Sequence, residues 1–278
     1  MHTVNRLICG LTSGLFLALA SFVATAKDRP PSNCLALALG PAPENAVPVR
    51  FADRVTDGAV LIRYLDHASF AIVTDDGKIA VTDYTGYIGN PDVVPDIVTM
   101  NNAHSTHFTS HPDPRIAHVL QGWGPPGSPP RINLDLGSIA VRNVTSDLRG
   151  PFGEGARRDG NSIFIFEAAG FCIAHLSHLH QILSDEQIWE IGRVDVVMVP
   201  VDGAYTMDPK TMAETVRALH PRVVIPMHWF SQDGLNAFLA QMRGDFSIQY
   251  VGGPDLLLSS KTLPPSPSVK ILTPAYIP

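Results

Sequence analysis
The C-terminal third constrains the fold most, because short apolar runs alternate there with helices whose starts are spelled out. Residues 194–199 (VDVVMV) and 222–226 (RVVIP) are apolar apart from Asp195 and Arg222. Runs of that length suit strands covered on both faces. Ser184 with Gln187 three residues on makes a capping box that opens a helix to Ile191. Asp208 before Pro209 supplies an N-cap followed by proline at the first helical position, opening a helix to Leu219. Residues 232–242 read as a third helix.

Upstream of this alternation the chain reads as strands, at 59–65, 69–74, 78–83, 96–100, 131–136, 138–144, 162–167 and 171–176. Asp75-Asp76-Gly77 is a hairpin turn signal between the second and third. Strands first, then strands alternating with helices, imply an α/β protein with mixed sheets covered by helices. A four-layer αββα sandwich is one such solution. No repeat or linker divides residues 58–278, which are read as one domain.

The beginning of the chain reads as an address. Arg6 precedes an uncharged apolar run from Leu7 to Val23, and Ala24-Thr25-Ala26 is a small-x-small cleavage pattern. Residues 1–26 are therefore expected to be a cleaved signal peptide, and residues 27–57, rich in proline, a surface leader. The alternative is an uncleaved anchor, for which this run is short. The expected location is periplasmic or secreted, with no membrane association after cleavage. Cys34 and Cys172 would then remain, and could pair in an oxidising compartment or serve as buried thiols. A net charge of -6 gives no basic footprint for nucleic acid.

The histidines carry the chemistry. His104, His107, His111 and His118 fall in one short stretch, and His175, His178 and His180 in another. His228 follows the strand at 222–226, and His67 the strand at 59–65. Several thus stand where a strand gives way to a loop, the place where open α/β sheets gather ligands. Neutral imidazole is the commonest metal ligand. His104 and His107, at i and i+3, can meet on one face of a turn. His118 and His220 are read as helical residues outside any site, His111 as a turn cap, and His175 as a hydrogen-bonded residue behind the ligands.

Several segments together resemble the metallo-β-lactamase fold superfamily, in the branch of predicted metal-dependent hydrolases near the ascorbate-phosphate lactonases. They are 61–72 (LIRYLDHASFAI), 79–83 (IAVTD), 161–167 (NSIFIFE), 194–202 (VDVVMVPVD) and 224–228 (VIPMH). The resemblance implies the αββα sandwich and a metal site. The family signature His-x-His-x-Asp-His falls on residues 102–107, where Asn102 and Thr106 replace the first histidine and the aspartate. The next family histidine falls near Ser146, and the bridging aspartate on Ser177-His178. By this correspondence His104, His107, His178 and His228 form the expected metal site, with a core of His107, His178 and His228. One divalent ion is expected, zinc first, with iron or copper as alternatives. Three neutral imidazoles would leave a position open for water.

Thr106 cannot act as a base near neutral pH. His180 or His111 is the candidate base, and Asn102 a candidate donor to a developing oxyanion. The expected activity is hydrolysis of a small ester, lactone, amide or phosphoester. The competing readings are a non-catalytic accessory protein on the same fold and a metal-dependent oxidoreductase. The expected partner is a small molecule, shaped by loops at 83–90, 122–130 and 149–161. Tyr84, Tyr87 and Trp123 could stack on it, Arg157 and Arg158 could grip an anion, and Tyr205 and Trp229 could line the pocket.

Overall fold
The computed structural model describes Ser32, Cys34, Leu35, residues 55–149 and residues 155–278. The segment read as a signal peptide and most of the leader lie outside these residues.

Strand β1 (Ala59–Asp66) shows how the sandwich is built. Val60, Ile62 and Tyr64 point into the core between the sheets, while Ala59 and Leu61 point to the opposite face. β1 pairs antiparallel with β2 (Ser69–Thr74), and β2 with β3 (Ile79–Val81). β3 then runs parallel to β4 (Ile97–Met100), and β4 to β5 (His118–Gln121). His118 therefore opens a strand and is not helical. Its short polar-flanked run (HVLQ) carries too little periodicity to separate the two states.

The second sheet starts from β6 (Asn133–Asp135), β7 (Ile139–Arg149), β8 (Ala156–Ala168) and β9 (Phe171–His175), all antiparallel neighbours. α1 (Asp185–Ile191), β10 (Val196–Pro200), α2 (Pro209–Leu219), β11 (Val223–Met227) and α3 (Gln232–Met242) follow. β12 (Ser247–Tyr250), β13 (Asp255–Ser259) and β14 (Ser268–Ile271) close the chain. β9, β10, β11, β14 and β12 lie parallel to one another in that order, whereas β13 crosses to the first sheet and pairs antiparallel with β1.

Each apolar run is buried on both faces. In β10, Val196 and Met198 face the inter-sheet core, while Val197 and Val199 face the helices. Asp195 stands just before that strand, where its carboxylate accepts the Cys172 N–H at 2.8 Å. The helix starts are those spelled by the sequence. Ser184 and Gln187 complete the capping box, and Asp208 caps a helix with proline in its first turn. Met212, Val216, Leu235, Phe238 and Leu239 pack the α2–α3 layer against the sheet. The far face of the first sheet is covered by Tyr84, Ile88, Ile116 and Ile277.

β7 and β8 are longer than the sequence pattern indicates, so Arg157 and Arg158 lie in a strand and not in the loop expected at 149–161. Outside the core these strands carry polar residues on both faces, which removes the alternation that marks a strand. Cys34 and Cys172 form a disulfide with Cα atoms 5.8 Å apart, fastening the leader to β9.

Candidate metal centre
Five parallel or near-parallel strand ends feed one rim of the sandwich. Asp83 follows β3, His104 and His107 follow β4, Ser177 and His178 follow β9, Asp202 follows β10 and His228 follows β11. His67 enters from the β1–β2 hairpin. This is the carboxyl-end placement at which open α/β sheets hold ligands.

The turn after β4 brings its two histidines together. The His107 N–H donates to the His104 carbonyl at 2.9 Å, and the Asn101 N–H to the His107 carbonyl at 3.1 Å. The His104 and His107 rings are 4.4 Å apart between centroids. Thr106, which stands where the family has aspartate, places its Oγ1 2.8 Å from His104 Nδ1. It contacts the His104 ring and offers no carboxylate of its own.

Two carboxylates brace the innermost imidazoles. His107 Nδ1 lies 2.5 Å from Asp83 Oδ2, and His228 Nδ1 lies 2.9 Å from Asp202 Oδ2. All four side chains are fully buried. Asp83 also accepts from Ser177 Oγ at 2.7 Å and Asn101 Nδ2 at 3.3 Å. Asn101 can reach it because residue 122 is glycine: a Cβ there would stand 2.4 Å from the Asn101 side-chain oxygen. Asp202 Oδ1 accepts the N–H groups of Ala204, Tyr205 and Thr206. A carboxylate on Nδ1 fixes the tautomer, so each ring turns the Nε2 lone pair inward. The two Nε2 atoms meet at 3.2 Å.

His67 stands against His228 with ring centroids 3.9 Å apart. Its carbonyl accepts the His228 N–H and the Tyr64 hydroxyl, both at 2.8 Å. Together His67, His104, His107 and His228 offer four ligand nitrogens that all lie within 4.8 Å of one another. His178 faces the same space, its ring 5.1 Å from His104 and 5.2 Å from His107 and His228. Its backbone N–H is held at 3.3 Å by Asn161, which in turn donates to Ser146, the residue standing near the missing family histidine.

The electrostatics disfavour the charged form of four of these rings, His67, His104, His107 and His178. Burial, reinforced by repulsion from His228 and His107, lowers the His67 pKa to about 3. Burial and the His107 and His228 charges lower His178 to about 2. His107 is pushed well below its ordinary value, and His104 is also lowered, in both cases first by burial and then by His228. Burial pushes Asp83 up, against the pull of His175, Ser177 and Asn101. For Asp202 burial acts upward too, but hydrogen bonds from His228, Thr206 and Ala204 outweigh it and hold the carboxyl below its usual range.

The donor set fits a cation. Two lone pairs aimed at each other across 3.2 Å repel unless a positive charge lies between them. That spacing is close to the ~3.3 Å separation of ligands in a tetrahedral site with bonds of about 2.0–2.1 Å. His67 Nε2 and both ring nitrogens of His178 are buried without a hydrogen-bond partner. Buried nitrogens without a hydrogen-bond partner, gathered in one place, suit ligands of a cation. The backbone is strained in the same place: His67, Asp83, Ser177 and His228 all have φ between 40° and 58°.

Other expected site residues lie further out. His180 is half-buried, and its charged neighbours are Arg149 and Asp147. Asn102 is half-buried, with its carbonyl 3.5 Å from Arg157 Nη2. His111 is exposed beside Ser110. His175 is buried behind the centre and bonded through Nε2 to the Ala68 carbonyl at 2.8 Å. Tyr84 is buried in the outer face of the first sheet, so it cannot stack on a substrate, and Trp123 packs against Phe108 there. Trp229 packs against Tyr64 and the core.

His67, Asp83 and Asp202 are the residues that sequence reasoning left outside the centre. His67 and Asp83 did carry a signal, since both end strands at the rim. Nothing local marks Asp202 as the partner of His228.

Comparison with known proteins agrees with this arrangement. Residues 61–228 match the β-lactamase superfamily domain. A UPF0173 metal-dependent hydrolase of Cupriavidus metallidurans is 24% identical over 221 residues, covering 62% of this chain and 74% of that protein. One from Methanospirillum hungatei is 27% identical over 188 residues, covering 62% and 84%. A Thermotoga maritima structure, assigned as a Zn-dependent hydrolase of the metallo-β-lactamase superfamily, superposes with a TM-score of 0.56 and 26% identity, covering 77% of this chain and 98% of that one. With the matched domain running from before His67 to His228, two mixed sheets beneath it and the imidazoles gathered at one rim, the chain belongs to the β-lactamase superfamily and has the metallo-β-lactamase fold.

Proposed function
We propose that the protein is an exported metal-dependent hydrolase acting on a small ester, lactone, amide or phosphoester at a mononuclear site. The observation that carries this reading is the convergence of His107 and His228, whose Nε2 atoms stand 3.2 Å apart while carboxylates occupy both Nδ1 atoms. These two would hold the ion, with His104 as third ligand and His67 or His178 closing the set. A bound divalent ion supplies Lewis acidity, polarising the scissile group and lowering the pKa of water toward neutrality. Zinc suits an all-imidazole site, with iron or copper as the alternatives.

The chain's own residues divide the remaining work. Asp83 and Asp202 fix the ring orientation of His107 and His228. The depressed pKa values of His67, His104 and His178 keep their lone pairs free but make these rings poor proton acceptors near neutral pH. His180, the candidate base, lies outside this group; burial and then Arg149 lower its pKa as well, against the pull of Asp147. Asn102, two residues before His104, would donate to a developing oxyanion. Export is supported by the signal-like residues 1–26 and by the Cys34–Cys172 disulfide, since such bonds persist in oxidising compartments.

Metal analysis of protein purified without added metal, combined with assays on an ester, a lactone, an amide and a phosphoester, tests the proposal. One zinc per chain and hydrolysis abolished by chelation are expected. Two ions per chain would overturn the mononuclear site; iron or copper without hydrolysis would move the reading to redox chemistry. A metal-free protein would leave the accessory reading.

A further inference from the structure
Two large aromatic rings are exposed beside the histidines. Phe230 is 63% exposed and Tyr205 is 62% exposed. Single exposed apolar residues need no explanation, but these two are paired, with ring centroids 5.8 Å apart and planes nearly perpendicular. Phe230 also meets the candidate metal centre. The Phe230 ring lies 5.4 Å from both His67 and His228.

Both rings hang from the support that orients His228. Phe230 is two residues beyond that ligand, just before the Ser231 N-cap of α3. Tyr205 lies in the turn folded onto Asp202, whose Oδ1 accepts its N–H at 2.6 Å, and Asp202 Oδ2 is the brace on His228. Arg149 grips the same turn on both sides of Tyr205, through the carbonyls of Ala204 at 2.9 Å and Thr206 at 3.3 Å. The tyrosine backbone is thus fixed relative to the histidines. The polar groups of this turn are also occupied: its N–H groups by Asp202, and both terminal nitrogens of Arg149 by carbonyls. Among the described residues, the cation beside this turn is Arg149, whose terminal nitrogens are engaged by these carbonyls, so what the turn offers a ligand is mainly π surface beside the histidines.

We propose that Tyr205 and Phe230 form a subsite that takes a planar aromatic group of the substrate, attached close to the bond that is cleaved. This rests on the hydrolase reading for the identity of that bond, but not for the binding itself. An aromatic group seated on the pair would cover ring surface that now meets water, and it would gain edge-to-face or offset contacts.

The test is equilibrium binding of 1-naphthol, followed by its fluorescence, to the full-length metal-loaded protein. Phe230→Ala and Tyr205→Ala should each weaken binding roughly three- to tenfold. Phe230→Leu, which keeps apolar bulk but no π face, should lie between wild type and alanine. Metal content should stay at the wild-type level in all three. Tyr250→Ala, which removes an exposed ring from the edge strand β12, should bind like wild type. The proposal is overturned if naphthol fails to bind, if the Tyr250 variant weakens it as much, or if the protein is a dimer that Phe230→Ala dissociates. Discrimination among variants without hydrolysis of any ester, lactone, amide or phosphoester would sink the hydrolase reading and leave the subsite standing. Ester hydrolysis with equal naphthol affinity in every variant would sink the subsite alone.

Discussion

The two halves of the metal centre are built differently. On the inner side, His107 and His228 are fully buried, and each is locked by a carboxylate that is itself held by further donors. On the outer side, His67 and His104 are half-buried, and His178 offers two nitrogens with no partner. None of these three has a carboxylate on its ring among the bonds of the described residues. In the proposed metal site the braced pair would define where a cation sits, and the unbraced set would exchange with water or substrate. Phe230 of the aromatic pair meets both halves, 5.4 Å from His67 and from His228.

The sharpest way to break this comparison is to remove one ligand from each half. His107→Ala or His228→Ala should lower metal affinity by more than about 100-fold, beyond the 10–100-fold typical of an outer support. His67→Ala, His104→Ala and His178→Ala should each cost roughly tenfold or less, because the other two can close the set. Competition with a chromogenic chelator measures all five. Equal losses in both halves would show that the division is wrong.

Removing the braces comes next in size. Asp83→Asn and Asp202→Asn should each weaken metal binding by about 10–100-fold. Asp202→Asn should also loosen the Tyr205 turn, which shares its carboxylate, and so raise proteolysis there; Asp83→Asn should not. Loss of metal without a difference between the two variants in limited proteolysis would unlink the turn from the ligand.

A smaller effect follows from pH and concerns the metal-free protein. The folded pKa values of His67 and His178, about 3 and about 2, lie below the ordinary 6.5. The unfolded chain therefore binds more protons between these limits, and stability falls as the pH drops from about 6.5 toward 3. The contribution is complete above 6.5. The apo-protein Tm should decline over that acid window, and His178→Ala should flatten the decline. An unchanged slope in the variant would show that His178 is not held neutral by the fold. Over the same window the Cys34–Cys172 bond should be silent toward the metal centre. Replacing both cysteines by serine should cost roughly 2–4 kcal/mol of stability and leave metal affinity unchanged.

Much of the scaffold was legible because its signals are local. The capping box at Ser184, the Asp208-Pro209 start and the apolar runs around β10 and β11 each specify an element within a few residues. The strands with no local signal, β5, β12, β13 and β14, depend on partners elsewhere: β5 pairs with β4, and Leu256 and Leu258 are strand residues because they pair with β1 nearly 200 positions away. The long β7–β8 hairpin was shortened in the reading for the same reason, since its polar outer half is held by pairing and not by an apolar face.

The sequence by itself determined that histidines would stand at strand ends and that His104 and His107 would share one turn. Backbone periodicity and i, i+3 spacing are properties of neighbouring residues. Only the tertiary structure decided which imidazoles meet, that Asp83 and Asp202 orient two of them, and that His67 joins from the first sheet. Those choices follow from the order in which the strands assemble and how the two sheets face one another. Contacts across 24 to 161 residues of sequence are fixed by packing, which no local pattern encodes.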